Sequence, residues 1–179
     1  YSTLFEKLLL LCAVKSATLD PSSAAVEMEG GKPGWNDALN GLPAQFGASL
    51  AEGCELLRLL DYLIARRPLY PAQIELHKEI AELLWEISAL AASERTEEDR
   101  WYTRNRLRDR YRAQTRQGFS GKTEAVPAER LLQALKALAA SLRTAIDAAT
   151  AENGGICPTY ASYQAVSRHK TDDGLLPTK

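Results

Sequence analysis

The stretch Thr3-Leu4-Phe5-Glu6-Lys7-Leu8-Leu9-Leu10-Leu11-Cys12-Ala13-Val14-Lys15-Ser16-Ala17 decides how the rest of the chain is read. Thr3 and Glu6 have the N-cap to N3 spacing of a capping box, in which each side chain reaches the other's backbone N–H. The spacing predicts a helix over about 3–17. Leu4, Phe5, Leu8, Leu9, Leu10, Leu11, Cys12 and Val14 leave it almost no polar face. A helix apolar nearly all round is enclosed by other elements. In an isolated bundle it would be the central helix, and in a larger helical barrel it would belong to the inner ring.

Composition points the same way. Of 179 residues, 27 are Ala and 27 are Leu, against 4 Val and 6 Ile. Unbranched and small apolar residues favour helix, whereas β-branched ones favour strand. An all-α protein follows, and a β-sandwich or doubly wound sheet is disfavoured. The 22 basic and 23 acidic residues nearly cancel, which argues against a bulk nucleic-acid or anionic-membrane binder. Lys7 and Lys15 bracket the longest apolar run, so no stretch reaches the roughly 18 residues of a membrane span. Cys12, Cys54 and Cys157 are an odd, widely spaced set that reads as reduced thiols in a cytoplasmic protein.

Four further helices follow from periodicity and punctuation. The second begins after Ser49, with Glu52 as another capping-box partner, and runs to Arg67 on a face of Leu50, Cys54, Leu57, Leu60 and Ile64. Pro68 and Pro71 end it. A third is predicted from Pro71 to about Ser93 through Ile74, Leu76, Ile80, Leu83, Leu84, Ile87 and Leu90. The fourth spans about Thr96 to Gly118, with Glu97, Glu98 and Asp99 in a first turn favoured by the helix dipole. The fifth runs from Pro127 to about Glu152 and stops at Asn153-Gly154-Gly155. Residues 156–179 form a non-helical tail or a connection to a following domain.

Residues 18–47 break the pattern. Asp20-Pro21-Ser22-Ser23 is a turn, Val26-Glu27-Met28-Glu29 alternates like a short strand, and Gly30-Gly31-Lys32-Pro33-Gly34 cannot be helical. A loop of this length in a compact helical protein is usually functional or disordered, and Met28, Trp35, Leu39, Leu42 and Phe46 carry too much apolar weight for disorder. Trp35-Asn36-Asp37-Ala38-Leu39-Asn40 concentrates residue types that handle sugars. An aromatic ring stacks on a pyranose face, Asn and Asp bond its hydroxyls, and a carboxyl beside Trp in a partly dry pocket can act as general acid. The plainer alternative is an ordered turn around a core Trp.

The segment Trp35-Asn36-Asp37-x-x-Asn40 resembles the Asp-Trp-Asn-Asp-Gly-x-Asn motif of the cellobiose phosphorylase family, which lies on a loop of an (α/α)6 barrel. The longer string from Glu27 to Pro43 is similar to bacterial proteins of the same cellobiose phosphorylase-like group. The resemblance covers residues 1–67, and the later helices fit as generic barrel hairpins. It implies that residues 1–155 supply antiparallel hairpins forming part of an (α/α)6 toroid, about half of its twelve helices, with 18–47 as the active-site loop. It implies an inverting glycoside phosphorylase in which Asp37 protonates the oxygen of a β-glucosidic bond while inorganic phosphate attacks the anomeric carbon. Trp35, Asn36 and Asn40 would then line the sugar subsites, with Glu29 and Lys32 completing the substrate-binding set. The implied partners are a β-linked glucoside or oligosaccharide, phosphate and the remaining parts of a parent polypeptide, with no metal and no other cofactor. Gly34 stands where the family has its first Asp, and Ala38 replaces the Gly after the acid.

Two alternatives stay open. An inverting hydrolase on the same barrel would need a second carboxylate about 6.5–9.5 Å from the acid. Glu27 and Glu29 share a face if that stretch is extended, although a solvated strand edge is their plainer reading. The other alternative is a non-catalytic helical interaction domain. The fourth helix interleaves eight arginines between Arg95 and Arg116 with Trp101, Tyr102 and Tyr111. Its acidic residues and scattered spacing predict a solvated, ion-pair-laced outer helix and not a nucleic-acid interface. His77, placed mid-helix, reads as surface or interhelical packing, and His169 lies in the polar tail. No Cys/His pair has zinc-ligand spacing.

Overall fold

The computed structural model of the chain describes residues 3–27, 47–162, 167–171 and 174–178, with side chains described to residue 162. Five α-helices dominate these residues: α1 Leu4–Ala17, α2 Leu50–Ala65, α3 Lys78–Ala91, α4 Glu97–Thr115 and α5 Ala128–Glu152. Helix α3 packs against α1, α4 and α5, while α2 lies along α5 and touches α1. The core gathers Leu9, Leu60, Leu76, Leu84, Leu131, Leu135 and Leu142, all at most 1 % exposed. Among the described residues no helix is long and apolar enough to cross a membrane.

The fold is helix-dominant but not all-α. Strands β1 (Val26–Glu27), β2 (Gly47–Ser49) and β5 (Tyr160–Ser162) form an antiparallel sheet in the order β1-β2-β5. Strands β3 (Gln73–His77) and β4 (Thr123–Pro127) pair in register from Gln73↔Pro127 to His77↔Thr123. Strands β6 (Ser167–Thr171) and β7 (Gly174–Thr178) form a hairpin in the tail.

The third helix is therefore shorter than its sequence suggests. Ile74 and Leu76 are buried while Gln73 and Glu75 are exposed, the period of two that belongs to a strand. Leu76 and Ile80, four apart, also fit a helical stripe, whereas Ile74 and Leu76, two apart, fit a strand. Each strand of this ladder runs straight into a helix, β3 into α3 and β4 into α5, with Pro127 standing before α5 and not inside it. The buried stripe of α2 is also rotated from the expected one. Leu50, Gly53, Leu56, Leu60 and Leu63 face inward, leaving Cys54, Leu57 and Ile64 half-buried.

Helix α1 is not enclosed on all sides. Leu9, Cys12, Ala13, Ser16 and Ala17 are buried, but Leu4 is 74 % and Leu11 44 % exposed. Burial in this core pushes the Cys12 thiol up to about 12. Both expected capping boxes are half made. Thr3 Oγ1 accepts from the Glu6 N–H at 3.1 Å and Ser49 Oγ from the Glu52 N–H at 3.2 Å. The two carboxylates, however, serve tertiary contacts. Glu6 Oε1 accepts from the His77 backbone N–H at 2.6 Å and lies 2.7 Å from its Nδ1. Glu52 pairs with Lys15. His77 thus sits at the end of β3, pinned to α1 and stacked on Phe119 with ring centroids 4.9 Å apart, and not in mid-helix.

Candidate functional site

Residues 28–46 connect β1 to β2 in the sequence, and the segment between Thr18 and Glu27 shows how the strand before them is held. Asp20 organises it. Its Oδ1 accepts from the backbone N–H groups of Ala24 and Ala25, both at 3.0 Å, and its Oδ2 accepts from Ser22 N–H at 3.3 Å and Ser22 Oγ at 2.6 Å. Asp, with a short acceptor side chain, favours such turns. The loop closes further through Asp20 N–H to Ala25 O at 2.8 Å and Ser23 N–H to Asp20 O at 2.9 Å. Ser23 takes a left-handed φ of 67°, a conformation that persists only where neighbours hold it.

Arg104 supplies that hold. Only 5 % exposed, it donates from Nη1 to Ser23 Oγ at 2.8 Å and from Nη2 to Asp20 O at 2.5 Å. Trp101 and Arg108 lie on the same face of α4, three residues before and four after it. Trp101 Nε1 donates to Glu27 Oε1 at 2.7 Å, and Arg108 Nη1 stands 3.8 Å from Glu27 Oε2. Helix α4 is thus not a solvated outer helix all round. Its inner stripe grips the turn and the foot of the loop.

Glu27 is likewise no solvated strand edge: its side chain is 19 % exposed. Burial pushes its carboxyl above the ordinary glutamate range, and Asp20 adds to this. The Trp101 bond and the arginines 108 and 104 oppose the shift without cancelling it.

The sheet fixes both ends of the excursion. Val26 pairs with Ser49 and Glu27 with Ala48, so residues 28–46 begin and end on adjacent strands. On the other side of β2, Gly47, Ala48 and Ser49 pair with Ser162, Ala161 and Tyr160. The tail segment is therefore part of this framework, with Leu50 N–H also donating to Thr159 O at 3.0 Å. Helix α2 approaches from behind at Gly53. A Cβ there would lie 2.1 Å from Ala24 O, so only glycine fits the contact.

Beside the sheet lies a cleft of about 800 Å³ between the Asp20 turn, the start of α4, α5 and β5. Its lining includes polar and charged residues such as Ser141, Thr144, Tyr160, Arg100, Glu97 and Asn153, among several alanines. Asp20 also borders it, but its carboxylate already accepts four hydrogen bonds and is structural. Among the described residues no group of three His, Cys, Asp or Glu side chains is gathered as metal ligands.

Of the residues expected to carry chemistry, Glu29, Lys32, Trp35, Asn36, Asp37 and Asn40 lie outside the described residues. The histidines expected to be bystanders divide: His77 is tied to Glu6, and His169 lies on β6. The sequence reading assigned Trp101 and the arginines of α4, Arg104 and Arg108 among them, to a solvated outer face, and did not mark Gly53. The spacing Trp101-x-x-Arg104-x-x-x-Arg108 was the available signal, since it places all three on one helical stripe.

In class this is a helix-dominant fold with small antiparallel sheets joining its helices. No protein-family model matches the chain, and no curated protein matches it either.

Proposed function

We propose that the chain is a segment of a carbohydrate-active enzyme of the glycoside phosphorylase type, built as part of an (α/α)6 toroid and working in the cytoplasm. The observation that carries the reading is the clustering of Trp35, Asn36, Asp37 and Asn40 on one excursion whose two ends are clamped on neighbouring strands. Acid catalysis requires the proton donor to be held in a repeatable place.

In this reading Asp37 donates a proton to the leaving glycosidic oxygen. Trp35 stacks on the sugar ring, excluding water and keeping the acid protonated. Asn36 and Asn40 orient hydroxyls, with Glu29 and Lys32 at the substrate's edge. Inorganic phosphate attacks the anomeric carbon from the opposite face, giving a sugar 1-phosphate of inverted configuration. Phosphate is already a nucleophile, so no protein base is needed.

One observation favours a second reading, inverting hydrolysis. The half-buried carboxyl of Glu27, with its raised pKa, stands at the foot of the same loop, and a hydrolase needs a second carboxylate to activate water. A helical interaction domain without catalysis is the third reading.

Incubating the parent polypeptide with β-linked gluco-oligosaccharides, with and without phosphate, separates all three. The expected result is phosphate-dependent release of a sugar 1-phosphate, lowered at least 100-fold by Asp37→Asn. Release of free sugar at the same rate without phosphate would overturn phosphorolysis and favour the hydrolase. No turnover of any such substrate would favour the interaction domain.

A further inference from the structure

Cys54 and Cys157, 103 positions apart in the sequence, are brought together by the framework that supports the loop. The register Ser49↔Tyr160 and the bond from Leu50 N–H to Thr159 O at 3.0 Å lay the segment before β5 along the start of α2. Because β2 and β5 are antiparallel, stepping back from Tyr160 towards Cys157 follows the direction in which β2 leads into α2. Cys54 lies one turn beyond Leu50 and therefore on the same helical face. A helical turn rises about 5.4 Å and an extended residue about 3.3 Å, so the turn from Leu50 to Cys54 covers about the same length as the two residues from Thr159 back to Cys157. Burial holds the Cys54 thiol above its ordinary range, and the neighbouring Cys157 raises it further. Cys157 is exposed, Cys54 is half-buried, and Cys12 is sealed in the core.

We propose that Cys54 and Cys157 are a reversible redox pair, closing to a disulfide that staples the segment before β5 to α2. The electron acceptor is a low-molecular-weight disulfide such as oxidised glutathione. The exposed Cys157 sulfur, as thiolate, attacks one glutathione sulfur, breaking the S–S bond and releasing one glutathione as its thiolate. Cys54 then loses its proton to solvent and attacks the Cys157 sulfur of the mixed disulfide, expelling the second glutathione. Two protein thiols are oxidised and one glutathione disulfide is reduced to two thiols. The new bond closes a loop of about 100 residues, and a cross-link restricts the unfolded chain more the longer the loop it closes. It also tightens β5 against β2, the strand through which residues 28–46 return. This inference is independent of the proposed sugar chemistry.

The test uses the full 179-residue chain, reduced and then incubated with oxidised glutathione, followed by alkylation under denaturing conditions and peptide mass analysis. The expected product is a Cys54–Cys157 cross-linked peptide with Cys12 alkylated. The midpoint of thermal unfolding should rise by about 5–10 °C and return on adding dithiothreitol. Cys54→Ser should leave glutathione trapped on Cys157, and Cys157→Ser should abolish the oxidant-dependent shift. Wild-type protein that holds glutathione on Cys157 without closing the internal bond would overturn the proposal. So would a disulfide that includes Cys12.

Discussion

Replacing Gly53 by alanine sets two well-characterised effects against each other. Gly53 lies within α2, where alanine is intrinsically favoured over glycine by about 1 kcal/mol. From helix propensity alone the variant would be more stable. Yet its Cβ would stand 2.1 Å from Ala24 O and 3.2 Å from Ala24 C, against the roughly 3.3–3.6 Å of an unstrained carbon–oxygen contact. More than 1 Å of overlap has to be relieved, and the obstacle is backbone. That carbonyl belongs to a turn held by four bonds to the Asp20 carboxylate and by Arg104, so it cannot rotate away alone. Either α2 withdraws from the core or the turn gives up hydrogen bonds. Overpacking of this kind costs about 3 kcal/mol or somewhat more against a rigid neighbour. The balance is a net loss of about 2 kcal/mol, which in a chain of this size lowers the thermal midpoint by about 4–8 °C. Urea unfolding followed by circular dichroism reads the same quantity as a lower midpoint at constant slope. A Gly53→Ala protein as stable as wild type, or more stable, would refute the reasoning and mean that α2 and the turn do not meet as closely as described.

Two further perturbations act on the same framework. Arg104→Met strips the guanidinium donor from buried Ser23 Oγ and from Asp20 O, which then keeps only the Ser23 N–H, for an expected loss of about 2–4 kcal/mol. Combined with Gly53→Ala it should be less than additive, because both disturb one turn. Additive losses in a double-mutant cycle would separate the two effects. Glu27→Gln probes the raised carboxyl. A carboxyl whose folded-state pKa is raised keeps its proton in the native state over a range where the unfolded chain has lost it. Wild-type stability therefore declines as pH climbs from the ordinary glutamate range through the higher folded value. The amide cannot titrate and its oxygen can still accept from Trp101. Relative to wild type the variant should gain stability across that window and then level off. Urea midpoints between about pH 4 and pH 8 measure this, and a wild-type-to-variant difference that is flat with pH would contradict it.

How far these features were legible in the sequence depends on how local their causes are. The caps at Thr3, Ser49 and Thr96 each accept from an N–H three residues on, so short-range spacing sufficed to mark the helix starts. Gly154 and Gly155, both at positive φ, end α5 where the glycine pair said it would end. The strand at Gln73–His77 was hidden because its partner, Thr123–Pro127, lies some fifty residues away, and an apolar run beside a helix reads as helix when no partner is visible. The candidate loop stood out for the opposite reason. Its Gly, Pro, Trp and Asn content differs from everything around it, without reference to a fold.

By itself, then, the sequence determined that five helices form and where most of them start and stop, since propensity, capping and punctuation act over a few residues. It also singled out Trp35-Asn36-Asp37-x-x-Asn40 as the stretch with chemical potential. The uses of its charged groups were decided only by the tertiary structure. Glu6 meets His77 across 71 positions and Arg104 meets Asp20 across 84. One helix face of arginines looks solvated until a turn with bare carbonyls is laid on it. A buried charge is stable only beside a matching partner, and which residues become partners is settled when the helices pack.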